Sequence, residues 1–126
     1  MTTVYEAINL AADRIEGDPK SYAFGCLFVP CEGEPGCMWG HIGRALGMDD
    51  DTGNLDVAQV CGAWSTMRLY DFAQRRFPGY VSNPILAAQA MRAYANEYHA
   101  PRDLIPASVR EIFAHTYTAK DLTPHV

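Results

Sequence analysis

Cys26, Cys31, Cys37 and His41 follow one another as C-x4-C-x5-C-x3-H in a chain of 126 residues. Three thiolates and one imidazole make a complete tetrahedral ligand set for zinc. A structural zinc would add on the order of 10–16 kcal/mol of apparent binding free energy to folding. The same residues support two other readings. Cys26 stands in FGCLFV, where an alternating side chain turns into a core, and free cysteine is among the most buried residue types. Cys37 and His41 are four apart, so on a helix they share a face, and the dipole at a helix start favours a thiolate. That is the outline of a nucleophile with a base. It still needs a group to orient the imidazole, for which Asp56 and Asp71 are the candidates. His99, His115 and His125 are too scattered to form a motif. A domain of this length folds without a metal, so packed thiols are preferred to zinc, and zinc to catalysis.

The last three ligands, C-x5-C-x3-H, resemble the zinc-finger family that uses three cysteines and one histidine. Those fingers embed their ligands among basic and aromatic RNA-contacting residues, whereas here the span from Cys26 to His41 holds two glutamates and no base. RNA binding is therefore not carried over. DDDTGN, residues 49 to 54, offers a weaker likeness to a calcium loop. Its glycine falls one place early after the first Asp, and no Glu occupies the twelfth position.

Gly36, Gly40, Gly43 and Gly47 recur at intervals of four, three and four. Each glycine inside a helix costs about 0.5–1 kcal/mol relative to alanine. The strip they make is read as a face approached closely by another backbone or by a ligand. Met38, Ile42, Ala45 and Leu46 form a separate core stripe, and Trp39 beside it is left either to cover the core edge or to present a contact surface.

These residues must be positioned by helices. Thr3 and Glu6 form a capping-box pair, and Val4, Ile8, Ala11, Ala12 and Ile15 recur at helical spacing until Gly17 and Pro19. SYAFGCLFVP, residues 21 to 30, is rich in aromatic and β-favouring types and is read as a short strand or extended core segment. A second helix spans about Cys37 to Leu46, with Gly47 as its stop. A third begins at Asp56, breaks between Gly62 and Ser65, and resumes through Met67, Leu69, Tyr70, Phe72 and Ala73 before Pro78. SNPILAAQAMRAYANEYHA then places Asn83 as cap, Pro84 at the first helical position, and Ala87, Met91, Tyr94 and Tyr98 on one stripe. A shorter helix carries Val109, Ile112 and Phe113, and residues 117–126 read as a frayed tail. The fold class expected is mainly α: a compact single-domain bundle of about five helices over residues 1–126, with room for a small strand pair near residues 21–30.

AINLAADRIEG and CMWGHIGRALG, with LYDFAQRRF as a looser match, resemble small uncharacterised bacterial and phage domains. Those domains have an Ala-rich first helix and a second helix opened by Cys-x-x-Gly. The resemblance implies a mainly helical fold and a mobile-element origin. It implies no activity and no functional residue.

Charge narrows the partners. The net charge is −5, and a nucleic-acid footprint needs the opposite balance. Residues 1–60 hold ten acids and three bases, and residues 61–126 five acids and seven bases. Asp49, Asp50 and Asp51, with Trp39, Arg75 and Arg76, are the candidate contacts for a protein partner. No stretch approaches the ~20 apolar residues of a membrane helix. The acidic, amphipathic N-terminus is unlike an export signal, so the expectation is a cytoplasmic chain with its four cysteines largely reduced. The leading functional expectation is a small non-enzymatic interaction module, of the kind a phage or mobile element uses to inhibit a host protein. A Cys3His zinc-stabilised domain is the alternative and a cysteine-dependent enzyme the third. Association with a second copy of the chain is left open.

Overall fold

Thr3 accepts a hydrogen bond from Glu6 N at 3.0 Å, and Thr3 N donates to the Glu6 carboxylate at 3.4 Å. This closes the capping box and starts helix α1, Val4–Gly17. The structure, a computed structural model, describes residues 3–26, 29–30, 34–63 and 65–99. After a 3-10 turn at Pro19–Ser21 come α2 Met38–Ala45, α3 Asn54–Val60, α4 Met67–Arg76 and α5 Pro84–Tyr98. The mainly helical bundle is what the hydrophobic spacing predicts. The expected helix through Val109 to Phe113 and the tail at 117–126 lie outside the described residues.

The caps explain the boundaries. Asn83 accepts from Ile85 N and Leu86 N, with Pro84 at the first helical position of α5. At the end of α2, Gly47 N donates to Arg44 O and Met48 N to Gly43 O, both at 2.9 Å. Gly47 sits at φ +76°, the conformation this paired closure requires. Gly62, at φ +82°, closes α3 in the same way through Gln59 O and Ala58 O. Ser65 then accepts from Met67 N at 3.2 Å.

α1 packs against α5 and α2, α4 against α5, and α2 against α3. Both helices of the α1–α5 pair bury alanines: Ala7, Ala11 and Ala12 on one and Ala87, Ala88, Ala90 and Ala95 on the other. Arg92 of α5 fastens its rim through Asp13, Glu16 and Asn9 of α1.

Two expectations need correction. Residues 21–30 form no strand among those described. Tyr22 makes one isolated parallel bridge to Gly36, and Phe24 and Gly25 make a turn with Gly25 at φ +94°. The aromatic residues act as anchors instead. Tyr22 donates its hydroxyl to Tyr80 O at 2.9 Å, and the Phe24 ring meets Tyr70 and Tyr80 edge-on at 5.8 and 5.9 Å. The second correction concerns α2. A single core stripe with a bare glycine face was expected, but every residue from Cys37 to Gly43 is buried. The helix lies inside the bundle and has no solvent face along that run, so small residues are needed on several sides. A Cβ on Gly43 would fall 2.4 Å from Val29 Cγ2 and 3.0 Å from Val57 Cγ2, and one on Gly36 would fall 2.6 Å from Pro30 Cγ. The close approach is by side chains, not by a neighbouring backbone.

Candidate functional site

The turn at Gly25 returns the chain so that Cys26 reaches the start of α2. There its sulfur is bonded to that of Cys37, with the two Cα atoms 5.6 Å apart. Cys37 is also the N-cap of α2: its Sγ accepts from Gly40 N at 3.4 Å. Asn54, the first residue of α3, donates from Nδ2 to Cys37 Sγ at 3.2 Å and to Cys26 O at 2.7 Å. Cys37 N donates to Cys26 Sγ at 3.0 Å. Cys37 Sγ therefore faces two N–H donors within 3.4 Å, from a helix terminus and from a buried amide, whereas Cys26 Sγ faces one backbone N–H at 3.0 Å with the Asn54 amide farther off at 3.9 Å.

Accessibility divides the pair the same way. Cys37 is wholly buried, while Cys26 is partly exposed. Cys26 lines an open pocket of about 450 Å³ whose walls include Phe24, Leu55 and Tyr70, with Asn54 and Thr66. Phe24 and Leu55 are each 48% exposed at this pocket. The pair thus joins a partly exposed cysteine at an apolar recess to a wholly buried one whose sulfur accepts from two donors.

The expected zinc set does not come together here. Cys26 and Cys37 are bonded to each other. His41 donates from Nε2 to Ser21 O at 2.8 Å, and Cys31 lies outside the described residues. Among the described residues no group of three or more His, Cys, Asp and Glu side chains is placed to hold a metal ion. The expectation of reduced thiols is likewise corrected for Cys26 and Cys37. Cys61 remains a free buried thiol, and burial pushes its pKa up to about 12.

His41 does not serve Cys37 as a base either. Its Nε2 hydrogen is engaged by the Ser21 carbonyl, which also accepts from Gly36 N at 2.7 Å. Burial is the main reason its pKa falls below 6.5. Its Nδ1 is buried with no partner among the described residues, so neither Asp56 nor Asp71 orients the ring. The bond to Ser21 braces the Tyr22–Gly36 bridge, which is a structural task.

Among the proposed partner contacts, Trp39 is corrected outright. It is fully buried, its Nε1 donating to Thr66 O at 3.0 Å, and offers nothing to a partner. Asp49, Asp50 and Asp51 occupy the turn after α2, with Asp50 and Asp51 exposed. Arg75 and Arg76 end α4; Arg75 Nε donates to Asp71 O, and Arg76 pairs with Glu97 at 2.6 Å. These groups sit on different elements and do not form one described site.

Sequence reasoning missed Asn54 and Thr52, which DDDTGN hid inside an apparently exposed polar turn. They are 7% and 1% exposed. The signal available was Asn immediately after Gly53 at the start of an apolar run, which marks a helix start as readily as a turn. Comparison with protein-family models, with curated proteins and with solved structures finds no match to this chain.

Proposed function

We propose that the chain is a thiol–disulfide module in which the Cys26–Cys37 pair exchanges with an external thiol at Cys26. The observation that carries this reading is the asymmetry of the pair: the partly exposed Cys26 lines an apolar pocket, and the sulfur of the buried Cys37 receives the shorter Asn54 bond and that of Gly40 N. Exchange proceeds when an incoming thiolate attacks Cys26 Sγ. The Sγ–Sγ bond breaks, its electron pair leaves on Cys37 Sγ, and a mixed disulfide forms between Cys26 and the incoming sulfur. Donors aimed at the leaving sulfur stabilise the negative charge that develops there. The reverse attack by Cys37 on Cys26 expels the external thiolate and restores the pair. In a reducing cytoplasm, the compartment proposed for this chain, disulfides are mostly transient, catalytic or redox-sensing, which agrees with a pair built to open.

The second reading keeps the expectation of a non-enzymatic interaction module, such as a phage-derived inhibitor of a host protein. The half-exposed Phe24 and Leu55 at the pocket support it. A Cys37→Ser chain separates the two readings, because it leaves Cys26 with no resolving sulfur. Mixed with glutathione disulfide, it should accumulate a glutathione adduct on Cys26, seen by peptide mass analysis, and the wild-type chain should release that adduct. Asn54→Leu in the otherwise wild-type chain should slow reduction by dithiothreitol about ten-fold, the weight of one hydrogen bond to a charged atom. A Cys26 that forms no adduct in the Cys37→Ser chain would sink the exchange reading and leave the interaction module standing.

A further inference from the structure

Arg14, Lys20 and Arg44 are the three basic residues among the first sixty positions, which also hold ten acids. All three line one open pocket of about 440 Å³. They come from three different elements: the last turn of α1, the 3-10 turn and the last turn of α2. Random placement of three bases on so acidic a segment would not collect them in one concavity.

No ion pair among the described residues uses their charges. Asp18 and Glu34 line the same pocket, yet the ion pairs among the described residues are Arg76–Glu97, Arg92–Asp13 and Arg92–Glu16. Arg44 is half-buried, with Nη1 donating to Pro30 O at 3.0 Å. That bond fixes the guanidinium and leaves its other N–H groups without a protein acceptor among the described residues. Arg14 and Lys20 are exposed, with no side-chain partner among them. His41, in the pocket wall, feels the result: after burial, the charges of Arg14 and Arg44 also act to lower its pKa, and Asp18 acts against them. The pocket thus gathers three cations against two carboxylates in a protein whose net charge is −5.

We propose that this pocket binds a small phosphate ester carrying hydroxyl groups, with Arg14, Lys20 and Arg44 on the phosphate and Asp18 and Glu34 accepting from the hydroxyls. A dianionic phosphate matches a cluster of three cations better than a single carboxylate does, and arginine presents paired N–H donors to its oxygens. Two carboxylates in the same pocket oppose a bare anion but suit a ligand that brings donors of its own. The volume falls within the range of small-molecule sites. Three cations are too few to track a nucleic-acid backbone. This site shares no residue with the cysteine pair and stands or falls independently of it.

The test is calorimetric titration of the full chain with glycerol 3-phosphate and with inorganic phosphate, each against sodium chloride at matched ionic strength. The expected result is saturable binding of glycerol 3-phosphate with a Kd below about 1 mM, tighter than that of inorganic phosphate. Arg14→Gln, at an exposed side chain with no hydrogen bond or ion pair among the described residues, should weaken it about ten-fold or more. Arg76→Gln removes the same unit of charge from the Glu97 pair, outside the pocket, and should leave it unchanged. Absence of saturation with glycerol 3-phosphate, or an equal loss in both variants, would overturn the proposal.

Discussion

His41 donates from Nε2 to the Ser21 carbonyl and keeps Nδ1 buried, so the fold favours the neutral ring. Burial lowers its pKa below the ordinary 6.5. The sign of the pH effect follows from that direction. Stability from the neutral ring is complete above 6.5, and it is lost as pH falls from there through the lower folded value, because the unfolded chain takes up the proton first. The denaturant midpoint of the wild-type chain should therefore fall between about pH 7.5 and pH 5. His41→Gln, which keeps a donor near the Ser21 oxygen, should show a flatter profile over that interval. Parallel profiles would show that another group carries the dependence. Sequence spacing reads Cys37 and His41 as sharing a helical face, but Cys37 is the extended N-cap of α2, and spacing does not decide which partner a ring nitrogen takes. The Ser21 carbonyl, twenty residues earlier, took it.

α2 shows most plainly how an element's surroundings set its composition. Its glycines were legible as a demand for close approach, and the structure identifies Val29 and Val57 as what approaches Gly43. Gly43→Ala should destabilise the fold by about 1–3 kcal/mol, the usual cost of overpacking a filled core. Gly17 is the control, because a Cβ there would meet nothing within 4 Å. Gly17→Ala should be neutral or stabilise by up to about 1 kcal/mol, through reduced freedom of the unfolded chain. Urea denaturation of the two variants reads both effects, and equal midpoints would contradict the packing account. The helix starts and stops at Thr3, Gly47, Gly62 and Asn83 were readable because capping is a local hydrogen-bonding problem, solved within four or five residues. The segment 21–30 was misread for the opposite reason. Its β-favouring residues describe a half-buried surface, and here that surface is supplied by Tyr70 and Tyr80 instead of a neighbouring strand.

At the scale of the whole molecule, the Cys26–Cys37 bond closes a loop with a sequence separation of 11 residues. Closing a loop of this size restricts the unfolded chain by about 2–3 kcal/mol on the chain-entropy account. Reduction should lower the urea midpoint by that equivalent with little change in slope, whereas Cys26→Ser/Cys37→Ser should be insensitive to reductant. An unchanged wild-type midpoint on reduction would show that the pair adds nothing to global stability. Cys61, buried and with its thiol pKa raised, stays outside this chemistry. The sequence by itself determined the mainly helical bundle, the helix ends at Thr3, Gly47, Gly62 and Asn83, and most of the alanine and aromatic stripes that form its core, but not the start of α3, expected at Asp56 and found at Asn54. These follow from periodicity and local hydrogen bonding, which are properties of neighbouring residues. It also concentrated attention on the right stretch, residues 26 to 41, without deciding its chemistry. Only the tertiary structure decided that Cys26 pairs with Cys37, that Asn54 supplies a donor to that pair, that Trp39 is buried, and that Arg14, Lys20 and Arg44 share one pocket. Each of these depends on where separate segments meet once the bundle has packed, and no spacing along a chain encodes the distance between them.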